Sequence, residues 1–204
     1  MICEIQPSSA IGKIKAPPSK SMAHRLLIGA GLSQGKSVIK GISLSKDIEA
    51  TINCLKALGS DVKISGDEAY VTGICKDNSP PSPLLNCGES GSTIRFFVPI
   101  TLALGKSAKL SGAASLLKRP MDVYKELSLN HGFEFAQHDT HLSLSGELRS
   151  GTYTVKGNIS SQFITGLLFA LPLLDGDSRI EILPPIESYS YLNLTLSALE
   201  KFGI

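Results

Sequence analysis

Apolar positions change their spacing in a regular order along the chain. Met22 to Leu32, Ile94 to Leu104 and Phe163 to Leu174 are long apolar stretches of helical character. Each leads to a small turn signal, Gly35-Lys36-Ser37, Gly105-Lys106-Ser107 and Gly176-Asp177-Ser178, at spacings of 70 and 71 residues. A short strand pattern comes next in each case: Ser37-Val38-Ile39, Ser107 to Leu110 and Arg179 to Leu183. Second helical patterns then run from Asp47 to Gly59, Met121 to Gly132 and Tyr191 to Gly203, closing on glycines 73 and 71 residues apart. Glycine takes the left-handed conformation that ends a helix. Ile48, Ile52, Leu55 and Leu58 give the first of these helices one apolar face, with Asp47 placed for its N-cap or first turn.

Twofold alternation follows the glycine. Asp61-Val62-Lys63-Ile64 and Tyr70-Val71-Thr72, with Gly66-Asp67 between them, read as a hairpin, and Phe133-Glu134-Phe135 with Leu142-Ser143-Leu144 reads as its counterpart. The recurrence predicts an α/β (α+β) chain made of three copies of one βαβαββ unit, over about 16–76, 84–148 and 152–204. Asp77 to Pro83, rich in Pro and Ser, reads as a linker between the first two copies, and residues 1–15 as a separate N-terminal strand. The third copy stops at Phe202-Gly203-Ile204, where its hairpin is expected to begin, so the chain reads as part of a longer protein.

Composition narrows the function. With 42% hydrophobic and 19% charged residues, the 204-residue chain is neither disordered nor collagen-like. The net charge of +2 excludes the concentrated basic face that nucleic acid needs, and the absence of Trp argues against a base-stacking platform. Cys3, Cys54, Cys75 and Cys87 are 51, 21 and 12 residues apart, which is no zinc spacing, and they read as reduced thiols. The start of the chain has no secretory pattern, and the longest apolar run, Gly166 to Leu174, contains Pro172 and is too short to span a bilayer. These features are those expected of a soluble cytoplasmic protein.

The first helix of each copy opens on small polar residues: Pro17-Pro18-Ser19-Lys20-Ser21, Gly88-Glu89-Ser90-Gly91-Ser92-Thr93 and Asn158-Ile159-Ser160-Ser161-Gln162. Free backbone N–H groups make such a start an anion site, although a serine N-cap explains each stretch taken alone. Capping does not explain Lys20, Arg25 and Arg95, because cations disfavour a helix N-terminus unless an anion sits between. Arg119-Pro120-Met121, with Pro120 read at N1, opens the second helix of copy two, and Ser188 holds a similar place in copy three. Ala30 to Ser37 fits only a lenient P-loop pattern and lies between helix and strand in the wrong order, so it reads as a turn. His138 and His141 lie on or beside a hairpin without a carboxylate at ligand spacing; His24 reads as a satisfied helix histidine that could line a site, and His131 carries no signal.

Four motifs, Pro18-Ser19-Lys20-Ser21 with Arg25, Cys87 to Arg95, Lys118-Arg119-Pro120-Met121 and Ser160-Ser161-Gln162-Phe163, together resemble the 5-enolpyruvylshikimate-3-phosphate synthase (3-phosphoshikimate 1-carboxyvinyltransferase) family over the first half of its length. The resemblance implies one domain of the enolpyruvyl transferase inside-out barrel, a monomer with substrates in a cleft between two domains, and a first strand, around Cys3 to Ile14, crossing to the second. It implies that the enolpyruvyl group of phosphoenolpyruvate moves to the 5-hydroxyl of shikimate 3-phosphate, releasing phosphate, with no metal or organic cofactor. Lys20 would be catalytic. Lys20, Ser21, Arg25, Ser160, Ser161, Gln162 and Ser188 would hold shikimate 3-phosphate, and Lys20, Gly91, Arg119 and Gln162 phosphoenolpyruvate. Glu89 stands where many members carry Asn, and the family's proton-transferring carboxylates lie in its second half.

Two alternatives remain. The sibling UDP-N-acetylglucosamine enolpyruvyltransferase carries a reactive Cys before its Arg-Pro motif, where this chain has Gly112-Ala113-Ala114-Ser115-Leu116-Leu117, and Cys87 lies in a different loop as a small apolar filler. The other is an anion-binding half-domain that binds without catalysing.

Overall fold

Ser19 starts the first helix. Its Oγ accepts a hydrogen bond from the Met22 amide at 3.2 Å, so α1 runs Lys20–Leu32. A computed structural model describes residues 3–4, 6–9, 11–75 and 79–204, so the N-terminal strand and the 77–83 linker fall partly outside the described residues, as does the boundary at 76. Among the described residues of 3–15 there is no strand, and Ile11 and Ile14 are each 95% exposed. A strand needs a neighbour to complete its ladder, and among the described residues none pairs with this segment.

The first sheet comprises β1 (Lys36–Lys40), β2 (Asp61–Ser65) and β3 (Glu68–Thr72), in the order β1-β3-β2 and wholly antiparallel. Ser65 faces Glu68 across Gly66-Asp67, the expected two-residue hairpin. Lys36 begins a strand after Gly35, so Gly35-Lys36-Ser37 is the turn that the sequence suggested. Helix α2 (Lys46–Ala57) packs its apolar face inward through Ile48, Ile52 and Leu55. Its N-cap is Ser45, whose Oγ accepts from the Ile48 amide, which leaves Asp47 in the first turn with its carboxylate free of the cap.

The second sheet orders β4 (Leu84–Asn86), β5 (Ala108–Ser111), β7 (Leu142–Gly146) and β6 (Phe133–Gln137), with β4 and β5 parallel and the rest antiparallel. Helix α3 (Gly91–Ala103) begins three residues before the expected Ile94 because Ser90 caps it. The helix expected over Met121 to Gly132 is α5 (Asp122–Ser128), shorter at both ends, and the loop before it carries one further turn, α4 (Ala114–Leu117), that the sequence pattern did not suggest. Pro120 is therefore not at N1. It precedes the N-cap Met121, and its carbonyl is turned to Arg95 Nη2 at 3.4 Å.

The third sheet is β8 (Thr152–Lys156) beside β9 (Arg179–Leu183), parallel. Between them α6 (Ser161–Ala170) ends earlier than Leu174, in a 3₁₀ turn at Leu171–Leu173, since Pro172 cannot supply a helical amide. The last helix, α7 (Tyr189–Glu200), follows Ser188, which has φ 58° and makes no side-chain cap. Gly59, Gly132 and Gly203, at φ 99°, 78° and 79°, follow α2, α5 and α7 as the sequence pattern required.

The core forms where α3 crosses α6. Phe96, Phe97, Phe163 and Phe169 are each at most 1% exposed, and burying an aromatic of this size contributes about 1.5–3 kcal/mol. Gly166 makes the crossing close: a Cβ there would stand 2.9 Å from the Arg95 carbonyl oxygen and 3.0 Å from Pro99 Cγ. All four cysteines are free. Cys54 and Cys87 are buried with sulfurs 4.0 Å apart, and hydrogen bonding to Cys87 together with burial pushes the Cys54 thiol well up, consistent with inert fillers. No described helix is long and apolar enough to cross a membrane.

Candidate functional site

The starts of α1, α3 and α6 open on one cleft of about 470 Å³. Lys20, Ser21 and Arg25 face it from α1, Ser92, Arg95 and Phe96 from α3, and Ser160, Ser161 and Gln162 from the start of α6; Arg119, Ile159, Ser188 and Tyr191 complete the wall. Larger hollows, of about 540 and 700 Å³, are lined by Asp175 and Asp177 and by Glu147, Arg149 and Asp175, and neither gathers several cations. The three caps are as the sequence suggested: Ser19, Ser90 and Ser160 each accept from an amide of their own helix. A hydroxyl that accepts one bond still has its proton to donate, so capping does not remove Ser160 from the site.

Arg25 is 3% exposed and is held only by neutral groups. Its Nε donates to Thr195 Oγ1 at 2.8 Å, Nη1 to the Ser21 carbonyl at 2.8 Å, and Nη2 to Thr165 Oγ1 and the Tyr191 carbonyl, each at 3.2 Å. Burial pulls this guanidinium down to about 10, with the Tyr191 phenol opposing. Arg95, half-buried over Phe163, gives Nη1 to Gln162 Oε1 at 2.6 Å, while its buried Nε has no partner. Burial lowers it also, and the neighbouring Arg119 adds to the shift. Gln162 in turn donates Nε2 to Ser92 Oγ at 2.9 Å, so both ends of its amide are engaged.

Among the described residues Arg25, Arg95 and Arg119 form no ion pair, and of the cations on the cleft only Lys20 meets a carboxylate, Asp47 Oδ2 at 2.6 Å. A buried cation without a counter-charge is costly, and a bound anion offsets that cost. The arrangement can therefore grip an anion through charge-assisted hydrogen bonds from α1 on one side and Arg119 on the other. No carboxylate and no cysteine lines the cleft.

Every site residue expected from the sequence lines this cleft except Gly91. Gly91 is the first residue of α3, where a Cβ would collide with the Arg119 guanidinium, so its missing side chain gives Arg119 its place. Phe96 and Tyr191 also line the wall without having been expected there, Ser92 and Ile159 do so as parts of the helix starts read as anion sites, and Arg95 carried only a charge signal. His24 does not line it. His24 is buried, with Nδ1 2.8 Å from Thr51 Oγ1, and burial brings it down to about 4, helped by Lys20 and Arg25 and opposed by Asp47. His138 and His141 stack on each other, and among the described residues no group of three His, Cys, Asp or Glu side chains could hold a metal.

Comparison with known proteins gives a consistent result. Residues 5–204 match the family described as EPSP synthase (3-phosphoshikimate 1-carboxyvinyltransferase). A 3-phosphoshikimate 1-carboxyvinyltransferase from Clostridium perfringens (strain SM101 / Type A) is 46% identical over 204 residues, covering 98% of this chain and 48% of that protein. One from Clostridioides difficile (strain 630) is 44% identical over 212 residues, with the same coverage. The chain thus spans about half the length of the curated relatives it matches. The solved EPSP synthase from Acinetobacter baumannii superposes with a TM-score of 0.73 over 88% of this chain and 42% of that one, at 22% identity, a likeness of fold.

Proposed function

The chain belongs to the EPSP synthase family, and from that premise we propose that it supplies the anion-binding half of an enolpyruvyl transferase acting on shikimate 3-phosphate and phosphoenolpyruvate. The observation that carries this reading is the set of guanidinium groups, Arg25, Arg95 and Arg119, gathered at one cleft without a carboxylate partner among the described residues. Lys20, Ser21, Arg25, Ser160, Ser161, Gln162 and Ser188 hold shikimate 3-phosphate in this reading. Ser188 suits the role because its hydroxyl is not spent on capping α7. Arg119, beside Gly91, takes phosphoenolpyruvate together with Lys20 and Gln162. The enolpyruvyl group passes to the 5-hydroxyl through a tetrahedral intermediate and phosphate leaves, with Lys20 as the catalytic cation at the charge that develops.

Proton transfer in such a reaction needs acid and base groups on both sides of the reacting carbon. With no carboxylate on the cleft wall, this half binds while a second domain, packed over the cleft, supplies the proton-transferring groups. The whole acts as a cytoplasmic monomer. The UDP-N-acetylglucosamine reading is disfavoured by the want of a cysteine on the wall.

Calorimetry with shikimate 3-phosphate tests the assignment. Lys20→Ala and Arg25→Ala should each weaken binding by roughly tenfold or more, the size of a lost charge-assisted hydrogen bond. Unchanged affinity in both variants would remove the site from this cleft.

A further inference from the structure

Asp47 stands apart from the other charges around the cleft. Ser45 caps α2, so the Asp47 carboxylate is not needed there. It reaches instead to Lys20, the first residue of α1 and 27 positions earlier in the chain, and accepts from Nζ at 2.6 Å. The turn that carries it is tied down, because the Asp47 carbonyl accepts from Thr93 Oγ1 at 3.4 Å and Thr93 Oγ1 also meets Thr51 Oγ1 and Ser90 Oγ at 2.8 and 2.7 Å. Lys20 lies on the positive end of the α1 dipole, a position unfavourable for an ammonium without a nearby anion. Asp47 is that anion.

We propose that Asp47 is an internal counter-ion that sets the ligand specificity of the cleft: it holds Lys20 while the cleft is empty and competes with any incoming anion for the same ammonium. The proposal rests on the reading of the cleft as an anion site. An anion within hydrogen-bond reach of Lys20 also comes within a few ångströms of the Asp47 carboxylate, and like charges at that range repel. A lone tetrahedral anion must bind against that repulsion. A ligand whose further groups engage Arg25 and the hydroxyls of the α6 start gains enough elsewhere to displace Asp47, so the carboxylate favours large polar phosphoesters over inorganic phosphate.

The probe is inorganic phosphate, titrated into the chain by calorimetry. Asp47→Asn should bind it roughly three- to tenfold more tightly than the unaltered chain, the scale of a partly screened like-charge contact. Asp47→Glu, which keeps a carboxylate in reach, should stay near the unaltered value. In a Lys20→Ala background the Asp47→Asn gain should vanish. Phosphate affinity unchanged or weakened in Asp47→Asn, or a gain that survives without Lys20, overturns the proposal. A second measurement needs no variant: the ¹³C carboxylate resonance of Asp47 should shift as phosphate saturates the unaltered chain, and a resonance that stays in place also overturns it. Saturable phosphate binding with no role for Asp47 leaves the anion-site reading standing, whereas phosphate binding absent from both the unaltered chain and Asp47→Asn overturns the proposal, and the shikimate 3-phosphate titration then decides the anion-site reading.

Discussion

The Tyr124 hydroxyl donates to the main-chain carbonyl of Arg95 at 2.5 Å. The residue four positions after Arg95 is Pro99, which has no amide to give, so Tyr124 replaces a missing helical hydrogen bond inside α3. Tyr124 is 1% exposed, and burial pushes its phenol far above the ordinary range, which keeps it a donor. Tyr124→Phe should leave that buried carbonyl unsatisfied at a cost of about 1–3 kcal/mol. Pro99→Ala restores an amide in the right place, so the double variant should recover most of the loss. Chemical denaturation of the four proteins reads the coupling; additive effects would show that the hydroxyl is not serving the proline's gap.

Gln162 ties the start of α6 to α3, accepting from Arg95 and donating to Ser92. Gln162→Glu places a carboxylate against Arg95 and removes the donor to Ser92. Melting temperature should hold or rise slightly, while shikimate 3-phosphate binding should fall by roughly tenfold through lost charge complementarity. A variant that binds as tightly as the parent would show that Arg95 and Gln162 do not face the ligand.

Gly91→Ala should act through its neighbour. The added Cβ meets the far end of the Arg119 side chain, which can swing away, so the fold should lose less than about 1 kcal/mol. Arg119 would then leave its place, and phosphoenolpyruvate affinity should drop several-fold while shikimate 3-phosphate affinity is retained. Equal losses for both ligands would contradict the division of the cleft proposed above.

His24 gives the pH dependence. Folded it titrates at about 4, unfolded near 6.5, so between these values the unfolded chain binds the extra proton. Its contribution to stability is complete above about pH 6.5 and is lost as pH falls toward 4, at up to about 1.4 kcal/mol per unit. His24→Gln keeps a polar partner for Thr51 without titrating. Thermal unfolding across that window should slope less in the variant, and identical slopes would show that other groups govern the acid limb.

What was legible in the sequence was local. Ile48, Ile52 and Leu55 announced a helix because their spacing is itself the helix period, and Gly66-Asp67 announced a hairpin because the turn needs those residues. The cations of the cleft were legible too, since Lys20, Arg25 and Arg95 sit where helix starts disfavour them. Partnerships were not. Arg25 meets Thr195 at a separation of 170 residues, and Arg95 meets Gln162 at 67, distances over which no pattern in the chain carries a signal. Tyr191 reaches the cleft because α7 packs on α6, and of the two places the sequence allowed Asp47, N-cap or first turn, Ser45 takes the cap and leaves it the first turn. The turn α4 was not legible because four residues are too few to show a helical period.

The third sheet has two strands where the others have three and four, and a two-stranded sheet is the least able to hold itself together. Lys156 at the end of β8 stands four residues before Ser160, and Leu183 at the end of β9 five before Ser188. Opening of that ladder therefore carries one wall of the cleft with it, while Lys20 and Arg25 remain seated on α1. Amide protons of Tyr153, Val155, Glu181 and Leu183, which lie in the β8–β9 ladder, should exchange with solvent sooner than those of β1 to β3, so that the cleft opens from its α6 side.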